Sequence, residues 1–402
     1  MINAGTLYVA KSIAKRSAGR ARALLSSQPK RGDVDFICAA ELGPRIYTEV
    51  FASKNVNLTR PTGFSDADWR AFRTRDVDHV PPDFVLDLKD GCVVGREGWV
   101  GLSPRLIISD IWQERFFPSE TRFRRQAELN SSADAVALRG LSASLAMPWL
   151  LNYYHWTAQA LPRLRLIQSL VDLKSVDHWI LPEPLPPYIP EWMHLVGIDP
   201  SRIVPTANGR IIQCERLVVS SVPGPNQYVP AWATAYVRSI VDDLPTAPGP
   251  TRLFIGRKDI GEKRRRIING ERIAGVLANA GFETVFLEDK TVAEKIALFR
   301  SADYIVGVHG AGLTNIIFCH PGARLLEITP RNMTHPTFWK LSRVTGTDHR
   351  FLLGSEPRVP FPFYAHDQRA DISINPVDFE YCLQALLHGP GRLIGNLSPP
   401  FS

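Results

Sequence analysis

No stretch of this 402-residue chain stays apolar for the roughly 20 residues that a membrane-spanning helix needs. Cysteine is scarce. The five present, Cys38, Cys92, Cys214, Cys319 and Cys382, are odd in number and lack CxxC spacing. They indicate neither a disulfide framework nor a zinc site, and a reducing cytoplasm is the compartment that fits. The N-terminal residues are basic but carry no sustained apolar core followed by a small-residue cleavage site, which argues against a secretory signal. No repeat of solenoid period is found.

What is present describes a two-domain globular protein. The length suits two domains of roughly 150 to 200 residues. Hydrophobic residues make up 45% and charged residues 22%, which excludes wholesale disorder. A net charge of +7 and a pI near 9.2 suggest anionic partners: phosphates, nucleic acid or an acidic membrane surface. In the first 33 residues Lys11, Lys15, Arg16, Arg20 and Arg22 alternate with Ile13, Leu24 and Leu25. That pattern suits a solvated arm or a peripheral contact with anionic lipid.

Residues 34–245 read as a first domain. Its opening, with PDFVLDL and RLIISDIW broken by Gly, Pro and Asp, favours short strands and turns. From Trp149 the pattern becomes α/β: NYYHWTAQALPRLRLIQSL has helical spacing, HWIL and RLVVSS resemble buried strands, and PEWMHLVGI suits a helix. The segment Leu244 to Pro250 is the expected linker. Residues 251–375 then alternate cleanly. RLFIGR, ETVFLE, DYIVGVHG and ARLLEIT read as strands, with NGERIAGVLANAG, TVAEKIALFRSA and AGLTNIIFCHPG as helices between them. This is the pattern of a doubly wound parallel sheet. A last helix, Val377 to Leu387, and a tail complete residues 376–402.

Three segments carry chemistry. In Val306-Gly-Val-His-Gly-Ala-Gly-Leu-Thr-Asn315 a strand meets a small-residue turn and a helix. Gly310 and Gly312 allow close approach of a ligand, and the helix start offers N–H groups to an anion such as a diphosphate. The GxGxxG pattern is incomplete, since Asn315 stands at its third glycine, so the turn also suits a bare strand-to-helix connection. His309 falls at the carboxyl end of a strand, where open α/β sheets gather ligands. In the second segment Arg257 ends a strand, and Arg264-Arg-Arg-Ile-Ile-Asn-Gly-Glu271 enters a helix. Guanidinium groups suit phosphate oxygens and would stabilise a departing diphosphate, although an arginine run also suits a solvated loop. The third segment is Asn152-Tyr-Tyr-His-Trp-Thr-Ala-Gln-Ala-Leu-Pro-Arg163. His155, at a helix start, could take a proton from a hydroxyl or serve only as a cap.

In order along the chain, NYYHWTAQALPRL, GR followed by RRRIIN, and VGVHGAGLTNIIFCHPGARLLEI resemble glycosyltransferase family 61, over roughly Trp149 to Thr329. That family includes bacterial capsular-polysaccharide enzymes, plant xylosyltransferases and eukaryotic protein O-GlcNAc-transferases. The resemblance implies a GT-B-like α/β fold of two Rossmann-like domains facing a cleft, anomeric inversion and no essential metal. It further implies a nucleotide-sugar donor, UDP-linked, and a glycan or other hydroxyl acceptor, with no other cofactor and no specific nucleic acid. Carried over by position, the donor site comprises Arg257, Arg265, Arg266, Asn269, His309, Gly310, Ala311 and Glu327, to which the turn adds Gly312 and Asn315. His155 and Arg257 are the expected catalytic pair. The chain departs from the family in having Gly270 between Asn269 and Glu271.

DxD-like triplets at Asp33 to Asp35, Asp66 to Asp68 and Asp76 to Asp78 all precede the nucleotide domain, so a metal-bridged diphosphate is not expected. His309-Gly-Ala-Gly also resembles the oxyanion-hole strand of esterases, but no GxSxG elbow accompanies it. The alternatives to a transferase are a non-catalytic protein that only binds a nucleotide sugar, and a nucleic-acid binder, which the basic balance raises but for which no reader motif is found.

Overall fold

The computed structural model describes residues 34–57, 77–112, 134–224, 227–245, 248–258, 265–330, 335–355 and 371–389. The basic arm, Asp33, Asp66 to Asp68, Asp76, Arg264 and the tail from residue 390 lie outside them. The chain forms two compact units, Met1–Asn55 with His79–Asn226, and Val56–Asp78 with Gln227–Ser402. No helix among the described residues is long and apolar enough to cross a membrane.

The first unit is built on one ten-stranded sheet: β1 (Asp35–Ile37), β2 (Tyr47–Phe51), β3 (Asp83–Lys89), β4 (Cys92–Val94), β5 (Trp99–Ser103), β6 (Leu106–Ile108), β7 (Asp134–Ser144), β8 (His178–Pro182), β9 (Ile203–Thr206) and β10 (Arg210–Ser220). The spatial order is β1-β6-β5-β4-β10-β7-β8-β9, with β3 also on β10 and β2 on β3. The Rossmann-like expectation is met by only four strands: β10, β7, β8 and β9 run parallel. On its other edge β10 pairs antiparallel with β4 through Ile211 to Gln213 and with β3 through Arg216 to Ser220. The β-rich opening is thus welded to the α/β part, and Leu86, Leu88, Val93, Val100, Ile212 and Leu217 share one core. The helical segment after Trp149 starts as a π-helix, His155–Ala160, followed by α1 (Arg163–Ile167). The α2 helix, Tyr188–Leu195, lies between β8 and β9.

The second unit opens with α3 (Ala231–Ser239), which precedes β11 (Arg252–Ile255). The division falls after residue 226, not in the Pro-rich segment 244–250, because arginines fasten this stretch to the second unit. Arg238 donates to the carbonyls of Ile317 and Cys319, and Arg300 donates to those of Val241 (2.6 Å) and Leu244 (2.9 Å).

The remaining strands are β12 (Glu283–Val285), β13 (Tyr304–Val308), β14 (Arg324–Pro330) and β15 (Asp348–Gly354). All pairings are parallel, in the order β12-β11-β13-β14-β15. That is the doubly wound order 2-1-3-4-5, whose switch point lies between the first and third strands, β11 and β13. The connecting helices are α4 (Gly270–Asn279), α5 (Val292–Ser301) and α6 (Thr337–Thr345), with α7 (Pro376–His388) last. Their starts and stops follow from sequence. Gly281, at φ +75°, ends the α4 region, and α5 begins with a capping box in which Thr291 and Glu294 satisfy each other's N–H groups. Phe254, Val306, Leu326 and Ile328 from the sheet pack with Ile273 of α4 and Phe379 of α7.

Two details differ from the sequence expectation. The strand in ETVFLE stops at Val285, and Leu287–Asp289 is a short 3-10 turn. The helix after His309 is 3-10 throughout, Ala311–Phe318, and the Asn315 side chain donates to the carbonyl of Gly312, three residues back. A three-residue turn places that carbonyl within reach of the amide.

Candidate functional site

At the switch point the chain leaves β11 toward Arg257 and β13 toward His309. The guanidinium of Arg257 donates to the His309 carbonyl at 3.0 Å, and Arg265 donates to the same oxygen at 2.6 Å. Arg265 reaches it from a left-handed backbone, φ +77°, a conformation that costs on the order of 1 kcal/mol for a non-glycine residue. Burial lowers the pKa of Arg257 to about 10. The neighbouring Arg265 cation pushes in the same direction and Glu288 opposes it. Two cations are therefore concentrated on one backbone oxygen, at the place where such sheets hold anions.

Both glycines of the turn lie close against neighbouring side-chain ends. Gly310 is extended, and a Cβ on it would lie 1.9 Å from Arg257 Nη2. A Cβ on Gly312 would meet Leu287 Cδ1 at 2.9 Å. Gly310 therefore makes room for the arginine, and the arginine in turn occupies the space beside the 3-10 helix start at Ala311.

The His309 side chain is buried and hydrogen-bonds through Nδ1 to Glu327 Oε1. Phe338 meets the ring edge-on at 5.1 Å, and His335 lies 6.2 Å away. Glu327 is fully buried on β14, and its Oε2 accepts from His349 Nε2 at 2.7 Å. Burial alone would raise the Glu327 pKa. The charges and hydrogen bonds of His309 and His349 outweigh it and hold the carboxyl at about 2. Glu327 is therefore the buried carboxylate that orients His309, while Nε2 of His309 remains for a ligand.

A cavity of about 870 Å³ opens beside the two arginines, lined by Arg257, Arg265, Ile268, Glu271 and Phe286 among others. Arg266 and Asn269 also line it, but their side chains are engaged in the wall. Arg266 grips Asp371 with two nitrogens, at 3.2 and 2.9 Å, and Asn269 exchanges two hydrogen bonds with the backbone of Ile374. Asn315 is fully buried. Among the donor-site residues expected from sequence, Arg257, Arg265, His309 and Gly310 converge, with Ala311 and Gly312 continuing the turn. Glu327 supports them from beneath, Arg266 and Asn269 shape the cavity, and Asn315 fixes the helix turn.

His155 belongs to the first unit and is half-buried at the head of the π-helix. Its Nδ1 lies 2.6 Å from Gln159 Oε1 and its ring 5.6 Å from that of Trp149. Burial lowers its pKa, and the hydrogen bond to Gln159 partly offsets this. Trp149 is 49% exposed and takes a left-handed backbone, φ +56°. A π-helix and a left-handed tryptophan side by side are costly features of the kind that gather at functional sites.

Three contributors carry no local signal in the sequence. Arg163 closes the same motif and is fully buried. It donates to the carbonyls of Ser144 (3.1 Å) and Ser220 (2.8 Å), at the carboxyl ends of β7 and β10. Burial lowers its pKa to about 9. Glu288, near Arg257, and His349 become visible only in the fold. No cluster of three or more His, Cys, Asp and Glu among the described residues is arranged to hold a metal ion.

Residues 153–326 match the family model Glycosyltransferase 61. Two rice proteins (Oryza sativa subsp. japonica) are similar over part of the chain. The alpha-1,3-arabinosyltransferase XAT2 is 30% identical over 125 residues, covering 28% of this chain and 21% of the rice protein. The beta-1,2-xylosyltransferase XYXT1 is 33% identical over 82 residues, covering 20% and 17%. The similarity thus spans about a fifth of these relatives' length. The resemblance read from the three motifs is upheld: residues 153–326, a little under half of the chain, match this family.

Proposed function

We propose that this chain, which matches the glycosyltransferase 61 family over residues 153–326, transfers a sugar from a UDP-linked donor to a hydroxyl of a glycan, with inversion and without a metal ion. The observation that carries the reading is the convergence of Arg257 and Arg265 on the His309 carbonyl, at the switch point of a parallel sheet and beside a glycine turn. The donor diphosphate sits against these guanidinium groups and the N–H groups that follow Gly310. The nucleoside extends into the adjoining cavity, past the exposed ring of Phe286. As the sugar carbon–oxygen bond to the diphosphate breaks, the electron pair stays on the phosphate oxygen. The two arginines and the Glu327-backed His309 bind the new charge more strongly than the intact donor. The acceptor oxygen forms the new bond from the opposite face and gives its proton to a base.

We assign that base to His155. With Nδ1–H donated to Gln159, its Nε2 carries the lone pair. Trp149 offers the acceptor an exposed ring beside it. In this reading the fold is of GT-B type, and the donor is held by the second unit. The names of the rice relatives make pentose donors the first to try.

The test is a thermal-unfolding panel of UDP, GDP and their sugars in the presence of EDTA. A bound ligand at a hundred times its dissociation constant adds about 2.7 kcal/mol of stability. UDP and UDP-pentoses should stabilise the protein in EDTA. Arg257→Ala should abolish that shift and lower turnover by about a hundredfold. The reading fails if no nucleoside diphosphate stabilises the folded protein, or if stabilisation appears only when Mg or Mn is restored.

A further inference from the structure

Glu327 presents a physical problem that only its neighbours solve. A carboxylate with no exposed surface needs hydrogen-bond donors on both oxygens. His309, at the end of β13, supplies one and His349, on β15, supplies the other. His349 lies beyond the span that matches the family model, and its role follows from the parallel pairing of β14 with β15. It is itself buried, and its Nδ1 has no hydrogen-bond partner among the described residues. A proton on that nitrogen would be a buried, unmatched N–H. The proton that matters is the one on Nε2, which faces a carboxylate oxygen that can only accept.

We propose that His349 is a positioning residue of the donor site: by donating Nε2–H to Glu327 Oε2 it fixes the carboxylate that orients His309. The role rests on the donor reading above. His309 is faced by Glu327 from β14, by Phe338 of α6 and His335, and at its carbonyl by Arg257 and Arg265. If Glu327 turns away, the His309 ring loses the bond that keeps Nε2 available to the diphosphate. His349 reaches no ligand itself. It acts through one carboxylate, and its effect is felt one strand away.

The test uses the full chain labelled with nitrogen-15 histidine, studied by proton–nitrogen NMR near neutral pH, with UDP affinity measured by calorimetry. Wild type should show a protonated Nε2 on His349 and a slowly exchanging Nδ1–H on His309. In His349→Leu the His309 signal should be lost to exchange, and UDP should bind roughly tenfold more weakly, as expected for one charge-assisted hydrogen bond removed from behind a ligand group. His349→Gln, which keeps a donor at a similar reach, should preserve both. A His349 Nε2 without a proton in the wild type overturns the proposal, and so does an unchanged His309 signal in the Leu variant. Equal loss of UDP binding in the Leu and Gln variants would show that His349 only fills space. Should the Leu variant not fold, the proton on the wild-type Nε2 decides. If the wild type binds no UDP, the donor reading falls, while that proton and the His309 signal still decide the role of His349.

Discussion

The two candidate histidines differ in what holds Nδ1. His309 is backed by a buried carboxylate, which is itself held by a second histidine. His155 is backed by the amide of Gln159, and burial drives it toward the neutral form. A carboxylate stabilises an imidazolium, whereas an amide orients a neutral ring without adding charge. His309 is therefore suited to meeting negative charge on a diphosphate, and His155 to receiving a proton. Their surroundings agree, since two guanidinium groups lie on the His309 carbonyl while an exposed tryptophan flanks His155. The same side chain can be given opposite duties by one hydrogen-bond partner.

The largest expected effect comes from removing the neutral partner. His155→Ala should lower transfer by about a hundredfold to ten-thousandfold with donor affinity nearly unchanged, because acid–base help is made mainly in the transition state. Steady-state kinetics alongside UDP calorimetry check this. Loss of donor binding in proportion to activity would instead make His155 a donor contact and erase the contrast.

A smaller effect should follow from making the two sites alike. Gln159→Glu gives His155 a carboxylate backing of the kind that His309 has, which favours its protonated form. The acidic limb of the pH–rate profile should move to higher pH. A limb that stays in place would mean that another group takes the proton.

The smallest effect is on stability, and it separates the units by pH. The folded pKa of His155 lies below its usual 6.5, so the unfolded chain takes up the proton first. Its contribution is full above about pH 6.5 and declines as the pH falls below that value. Glu327 is held at about 2 against its usual 4.5, so its contribution is full above about pH 4.5 and is lost as the pH falls toward 2. Hydrogen exchange followed through an acid titration should show peptides around residues 153–167 losing protection before those around 324–330. The reverse order would break the assignment.

The second sheet is legible in the sequence because each strand is a short apolar run and each helix is bounded by capping or glycine residues. Arg257, His309 and Gly310 are legible for the same reason, since all three stand at strand ends. The mixed character of the first sheet is not. It depends on β3 and β4 finding β10 more than a hundred residues later, through backbone pairing that no local pattern encodes. His349 is likewise silent, being 22 residues from Glu327 and joined to it only by strand register. Arg163 reads as an ordinary helix cation until burial at the ends of β7 and β10 reveals what it holds. Arg265, Arg266 and Asn269 look alike in sequence as ligand groups, and the fold gives them different tasks.

The pairing of β14 with β15 places Leu325 beside His349 and Glu327 beside Phe351, so His349 and Glu327 sit diagonally on one face. A slip of one residue would turn every β15 side chain over and leave Glu327 with a bare oxygen in the protein interior. The hydrogen bond therefore favours this one register of β15 on β14. Strand closure in the wrong frame carries a penalty at a single buried carboxylate, and a chain that has completed its last parallel strand correctly has, by the same step, armed its site.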